Sequence, residues 1–163
     1  MLQKKVCILG PTGVGKTSLI KQYVEGIFSE KYQTSIGVKI DKKLVSSGYT
    51  PVQLMIWDLE GIDEYCGFNP RYLRGASALV FVCDQTRFSS LAQVMDILSI
   101  CRNHSDIPAI LVLNKNDLVP ATNWDDAELQ KQASKFKDVF LTSAKTGSNV
   151  GKMFDALANI VTY

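Results

Sequence analysis

The residues Gly10-Pro11-Thr12-Gly13-Val14-Gly15-Lys16-Thr17 combine backbone freedom, a cation and a hydroxyl in the order G-x-x-x-x-G-K-T. Glycines in such a loop let the chain curl until successive N–H groups converge on phosphate oxygens. An apolar run, Val6-Cys7-Ile8-Leu9, precedes the loop, and a helix-like pattern over Ser18–Val24 follows it. That strand–loop–helix setting is what a phosphate-binding loop requires. The positive end of the helix adds to the attraction. Lys16 would reach the β- and γ-phosphates, and the Thr17 hydroxyl would bind Mg²⁺. The pattern predicts binding of a nucleoside triphosphate.

Three further stretches carry chemistry, each just after a strand-like run. Trp57-Asp58-Leu59-Glu60-Gly61 is the first. An aspartate at a strand end can hold Mg²⁺ through water, and Gly61 would let its N–H close on the γ-phosphate. The same residues could form an ordinary strand-ending turn. The other two are Asn114-Lys115-Asn116-Asp117 and Thr142-Ser143-Ala144-Lys145. The Asp117 carboxylate can accept from the N1–H and exocyclic amine of guanine. Adenine presents the opposite pattern and leaves the carboxylate unpaired, a mismatch that discriminates by about 10⁴-fold in favourable cases. Lys115 and Lys145 can lay their alkyl stems over base and ribose.

The elements that must position these groups alternate along the chain. Strands are predicted over Lys5–Leu9, Val38–Val45, Val52–Asp58, Ala78–Asp84, Ala109–Asn114 and Val139–Thr142. Runs such as Ala78-Leu79-Val80-Phe81-Val82-Cys83 suit strands covered on both faces. Helices are predicted over Lys16–Glu25, Tyr65–Arg74, Ser90–Asn103, Asp125–Lys135 and Val150–Val161. The link Ser46–Pro51 is too short for a helix, so the strands on either side of it should form an antiparallel hairpin. The expected fold class is α/β: three layers, a six-stranded mostly parallel sheet with one antiparallel edge strand, and about five helices. Ligands of such a sheet bind at the carboxyl ends of its strands, where all four chemical stretches fall.

Composition excludes several classes of function. The 163 residues fit one domain with a full core. Net charge is +2, from 18 basic and 16 acidic side chains spread along the chain, with no basic run of the kind that binds nucleic acid or anionic lipid. No apolar stretch approaches a membrane span. The four cysteines, Cys7, Cys66, Cys83 and Cys101, lack C-x-x-C spacing, which argues against a zinc site and suits a cytoplasmic location. Residues 158–163 hold no cysteine, so no prenyl anchor is expected in this chain.

Taken together and in order, these nucleotide motifs resemble those of the Ras-superfamily small GTPases, over essentially the whole chain. Ser35-Ile36-Gly37-Val38 and Tyr72-Leu73-Arg74-Gly75-Ala76 are most similar to the Rab branch, and Ile27–Tyr32 followed by Val38–Lys43 resembles Rab-like GTPases of bacteria. The resemblance implies a single G domain over 1–163 with the P-loop GTPase fold. It further implies GTP/GDP and Mg²⁺ as cofactors, GTP hydrolysis, and a monomer. Gly13, Val14, Gly15, Lys16, Thr17 and Ser18 would enclose the phosphates, with Gly61 near the γ-phosphate. Thr17 and Ser35 would ligate Mg²⁺, and Asp58 would act through water. Phe28 would pack edge-on to the guanine, unless it is simply a core aromatic. Asn114, Lys115, Asp117, Ser143, Ala144 and Lys145 would form the base pocket. The Tyr23–Asp41 and Glu60–Arg74 regions would contain the switch loops that meet effectors, an exchange factor and an activating protein.

The chain departs from the family in three places. Ser35 stands where the family has a magnesium-binding threonine, with Thr34 the alternative if the register shifts. Thr12 occupies a position that is glycine in Ras. Most consequentially, the family's D-x-A-G-Q reads Asp58-Leu59-Glu60-Gly61-Ile62 here. Ile62 has no hydrogen-bonding group to orient an attacking water, so hydrolysis by Lys16 and Gly61 alone should be slow. Glu60 could repel GTP, point outward or hold the water itself, and Asp63 is a further candidate, as is Glu64. Two readings stand beside a slow GTPase switch: a hydrolysis-deficient GTP-binding interaction module, and a P-loop kinase or ATPase, which the guanine-matched Asp117 disfavours.

Overall fold

The computed structural model describes residues 2–29, 37–48, 50–59, 61–62 and 68–162. Ser35, Thr34, Glu60, Asp63, Glu64 and Cys66 lie outside the described residues.

The chain runs β1 (Leu2–Leu9), α1 (Lys16–Glu25), β2 (Val38–Ser47), β3 (Thr50–Leu59), a 3-10 turn (Pro70–Leu73), β4 (Ala76–Asp84), α2 (Ser89–Arg102), β5 (Ala109–Asn114), α3 (Asp126–Ala133), β6 (Val139–Leu141) and α4 (Val150–Thr162). The six strands form one sheet in the order β2-β3-β1-β4-β5-β6. Only the β2–β3 pair is antiparallel. β1 lies between β3 and β4, so the chain passes to one side of it and then to the other. The loop after β1 therefore opens at the switch point where sheets of this kind bind ligands.

The sheet separates two apolar layers, as the uninterrupted hydrophobic strands require. Along β4, Val80 and Val82 face the layer shared with Leu19 of α1 and Phe154 of α4. Leu79, Phe81 and Cys83 face the layer shared with Leu91 and Val94 of α2. Tyr23 stacks on Phe154 at 3.9 Å between centroids, pinning α1 to α4. Phe81 meets Phe136 edge-on at 5.9 Å. Among the described residues no helix is long and apolar enough to cross a membrane.

Two local details differ from expectation. Among the described residues there are four α-helices and one 3-10 turn, in keeping with the expected fold class. Where a helix was expected over Tyr65–Arg74, the described part holds only the 3-10 turn. Pro70 begins it, Asn69 Oδ1 accepts the Arg71 N–H at 3.0 Å, and Gly75 follows at φ 73°. A cap and a glycine so close together leave room for a single turn. The hairpin is also tighter than expected. Its strands run to Ser47 and start again at Thr50, leaving two residues between them. Pro51 has no N–H to give, and is tolerated because pairing of β3 with β1 begins only at Val52.

Candidate nucleotide site

The β1–α1 loop turns on its glycines. Gly13 and Gly15 have φ of 81° and 100°, a region open to glycine. A Cβ at Gly15 would run into the Asn114 side chain. Gly15 also stands at the N-cap of α1 and makes no side-chain cap, and a helix start of this kind attracts anions. Lys16 is 6% exposed, and its ammonium donates to Gly10 O at 3.0 Å and Pro11 O at 2.9 Å. Burial lowers its pKa to about 8, against the opposing pull of the Asp58 carboxylate. A desolvated ammonium beside the start of a helix favours an anion. A phosphate is such an anion.

Beside this loop, β3 ends in the buried Asp58. Its Oδ2 accepts the Thr17 hydroxyl at 2.6 Å. Its Oδ1 is buried and, among the described residues, no donor reaches it. Burial raises the carboxyl's pKa, only partly offset by Thr17 and Lys16. A hydroxyl and a carboxylate with one unsatisfied oxygen, all hard oxygen donors, fit Mg²⁺ or its bound water. Gly61 then passes over the phosphate loop. A Cβ there would lie 2.6 Å from Thr12 Cα and 2.8 Å from Thr12 N, so only glycine fits this approach. The Ile62 N–H donates to Gly10 O at 3.1 Å, while its side chain packs on the α2 side of the core.

The loops after β5 and β6 meet the phosphate loop through Asn114. Its Nδ2 donates to Val14 O at 2.9 Å. Its Oδ1 accepts Thr142 Oγ1 at 3.1 Å and the Ala144 N–H at 3.3 Å. Asp117 is exposed at the rim, and its Oδ1 accepts the buried Ser143 hydroxyl at 2.8 Å. Lys115 takes a φ of 69°. Its ammonium donates to Gly13 O at 3.0 Å. Lys145 is exposed on the same rim. Phe28 is 37% exposed and belongs to neither core layer.

Two comparisons bear on this arrangement. The Ras family model matches residues 5–163. The chain belongs to the Ras family. It is 30% identical over 162 residues, 96% of this chain and 72% of its counterpart, to Ras-related protein Rab-32C of Dictyostelium discoideum. This Ras-family chain is thus a Rab-like small GTPase, and guanine-nucleotide binding and GTPase activity are the general properties of such proteins.

Of the Ras-family site residues expected from sequence, Gly13, Val14, Gly15, Lys16, Thr17, Asp58, Gly61, Asn114, Lys115, Asp117, Ser143 and Ala144 are joined by the contacts just described. Ser18 lies in the first turn of α1. Sequence reasoning passed over Asp84, the last residue of β4. It is 1% exposed, and Lys115 Nζ lies 2.9 Å from its Oδ2. Hydrogen bonds from Thr86 and Lys115 outweigh the effect of burial and hold its carboxyl below the usual carboxylate range. The available signal was a carboxylate ending an otherwise apolar run at the sheet's carboxyl edge.

Proposed function

We propose that this chain is a GTP/GDP-operated molecular switch that hydrolyses GTP slowly, with 1–163 forming one G domain. The observation that carries the reading is Asp117, an exposed carboxylate steadied by Ser143, on loops that Asn114 ties directly to the phosphate loop. A carboxylate on the rim beside that loop selects guanine, because adenine offers it no matching pair of donors.

In this reading Gly13, Val14, Gly15, Lys16, Thr17 and Ser18 hold the phosphates. Lys115, Ala144 and Lys145 complete the base pocket with Asn114, Asp117 and Ser143, and Phe28 flanks the base. Thr17, Ser35 and water-linked Asp58 hold Mg²⁺. The ion would supply charge neutralisation on the β- and γ-oxygens. Lys16 and the Gly61 N–H stabilise charge at the γ-phosphate. Glu60 and Asp63 are the carboxylates available to orient a water, since Ile62 cannot. Loss of the γ-phosphate releases the Glu60–Arg74 and Tyr23–Asp41 regions, and effectors, an exchange factor and an activating protein read the difference. The protein works in the cytoplasm as a monomer.

A second reading, a binding module without useful hydrolysis, draws on Ile62. Its side chain is committed to the core rather than to the site. Competition of GDP and ADP for the purified protein tests the shared claim. Displacement by GDP at concentrations far below those of ADP supports it, and equal displacement contradicts it.

A further inference from the structure

The nucleotide-binding reading leaves Asp84 and Arg87 without a role. Asp84 Oδ1 accepts the Thr86 N–H at 2.8 Å and the Thr86 hydroxyl at 2.6 Å. Its Oδ2 lies 2.9 Å from Lys115 Nζ and 3.4 Å from Arg87 Nε. Each of these two cations spends another donor on the phosphate loop. Arg87 Nη2 donates to Thr12 O at 2.8 Å, across 75 residues of sequence. Lys115 Nζ donates to Gly13 O at 3.0 Å. Asn114 Nδ2 takes the next carbonyl, Val14 O, at 2.9 Å.

Three successive carbonyls are therefore held from one side. In a trans peptide the carbonyl and the following N–H point in opposite directions. Drawing the oxygens of Thr12, Gly13 and Val14 toward the β4 and β5 loops turns the N–H groups of Gly13, Val14 and Gly15 the other way. Each of these peptides has a glycine at one end, which makes it easier to flip, so its orientation needs an outside constraint. A row of N–H groups aimed to one side is an anion nest.

We propose that Arg87, anchored by the buried Asp84, is a positioning residue for phosphate: it fixes the Thr12–Gly13 peptide so that the Gly13 N–H faces the nucleotide, and so sets how long a diphosphate is retained. The inference rests on the reading of this loop as the nucleotide site. It gives the β4–α2 loop, through Arg87, a part in nucleotide retention that no family motif in the chain covers. Asp84 serves both cations, so the guanine side through Lys115 and the phosphate side through Arg87 share one buried carboxylate.

The test is GDP dissociation from the full chain, followed with a fluorescent GDP, together with the affinity for guanosine, which has no phosphate. Arg87→Ala should speed GDP release about tenfold, the scale of one charge-assisted hydrogen bond, and leave guanosine affinity unchanged. Arg87→Lys should fall between, because an ammonium can serve Thr12 O or Asp84 but lacks the fork to serve both. Asp84→Asn should speed release further, and adding Arg87→Ala to it should have less effect than in the parent. Unchanged GDP release in Arg87→Ala, from a parent that does retain GDP, overturns the inference alone. Equal losses of GDP and guanosine affinity overturn it too, since they report general loosening. A parent that holds no GDP overturns both this inference and the reading beneath it.

Discussion

The Thr17 hydroxyl, in the first turn of α1, donates to Asp58 Oδ2, at the end of β3, across 2.6 Å. The two groups come from different elements and meet where each element's carboxyl-edge loop opens. Burial alone would favour a neutral Asp58, yet its second oxygen has no donor among the described residues. A divalent cation would resolve both features at once, by favouring the ionised carboxylate and taking up its spare oxygen. Thr17→Ala should therefore weaken nucleotide retention by at least about tenfold in Mg²⁺ and have little effect in excess chelator. Dissociation rates with and without Mg²⁺ check this. A loss of the same size in both conditions would mean that Thr17 serves the fold and not a metal.

Gly61 is held to glycine by backbone atoms of Thr12 as well as by its side chain. Gly61→Ala should leave GDP binding within a few-fold of the parent and reduce the GTP-bound population by about tenfold or more, because the added methyl bars the approach that brings its N–H to the γ-phosphate. Shortening Thr12 to glycine should not restore it, since the obstructing Cα and N remain. Parallel titrations with GDP and a non-hydrolysable GTP analogue give the answer.

Ile62 contributes its N–H to Gly10 O and its side chain to the core. Ile62→Gln should raise the rate of GTP hydrolysis, by supplying a water-orienting amide, while lowering stability by about 1 kcal/mol through lost apolar contact. Single-turnover hydrolysis and thermal melting measure the two effects. A variant that melts lower but hydrolyses no faster would count against Ile62 as the weak point of the chemistry.

How far these features were legible in the sequence depended on what dictates them. Gly15, Lys16, Thr17, Asn114 and Asp117 could be picked out as candidates because phosphate and guanine chemistry constrain both residue type and spacing. The six-stranded, mostly parallel sheet with its antiparallel edge followed from the apolar runs and one short hairpin link. The extra length of β2 and β3 did not, because Ser46, Ser47 and Thr50 carry no apolar signal; they are held by the ladder that pairs them and by the Ser47 hydroxyl, which donates to Asn159 Oδ1 at 2.7 Å. The turn at Pro70 was hidden by a pattern that reads as helix until the Asn69 cap is placed. Arg87 escaped because its long-range partner is a backbone oxygen, that of Thr12, which leaves no trace in residue types.

Burial raises the Cys7 thiol to about 12 and the Cys101 thiol to about 11. Cys83 is pushed up as well, again chiefly by burial. All three should resist alkylation in the native protein at pH 8, where the reactive thiolate is absent. Stability follows the same shift. A folded-state pKa above the unfolded value means that, above about pH 9, the unfolded chain gives up protons that the folded chain keeps. The contribution of these thiols is thus intact below that pH and is lost as pH rises toward their folded values. Peptide mapping after native alkylation, and unfolding free energies at pH 8 and pH 10, test both statements.

The most direct measurement of the switch itself is chromatographic. The purified protein is loaded with GTP and Mg²⁺, bound nucleotide is extracted over several hours, and ATP is run in parallel. Retained GTP converting slowly to bound GDP, with no retention of ATP, is the predicted result. Retention of ATP as firm as that of GTP would contradict guanine selection at Asp117, and GTP left wholly intact would contradict a switch that resets itself.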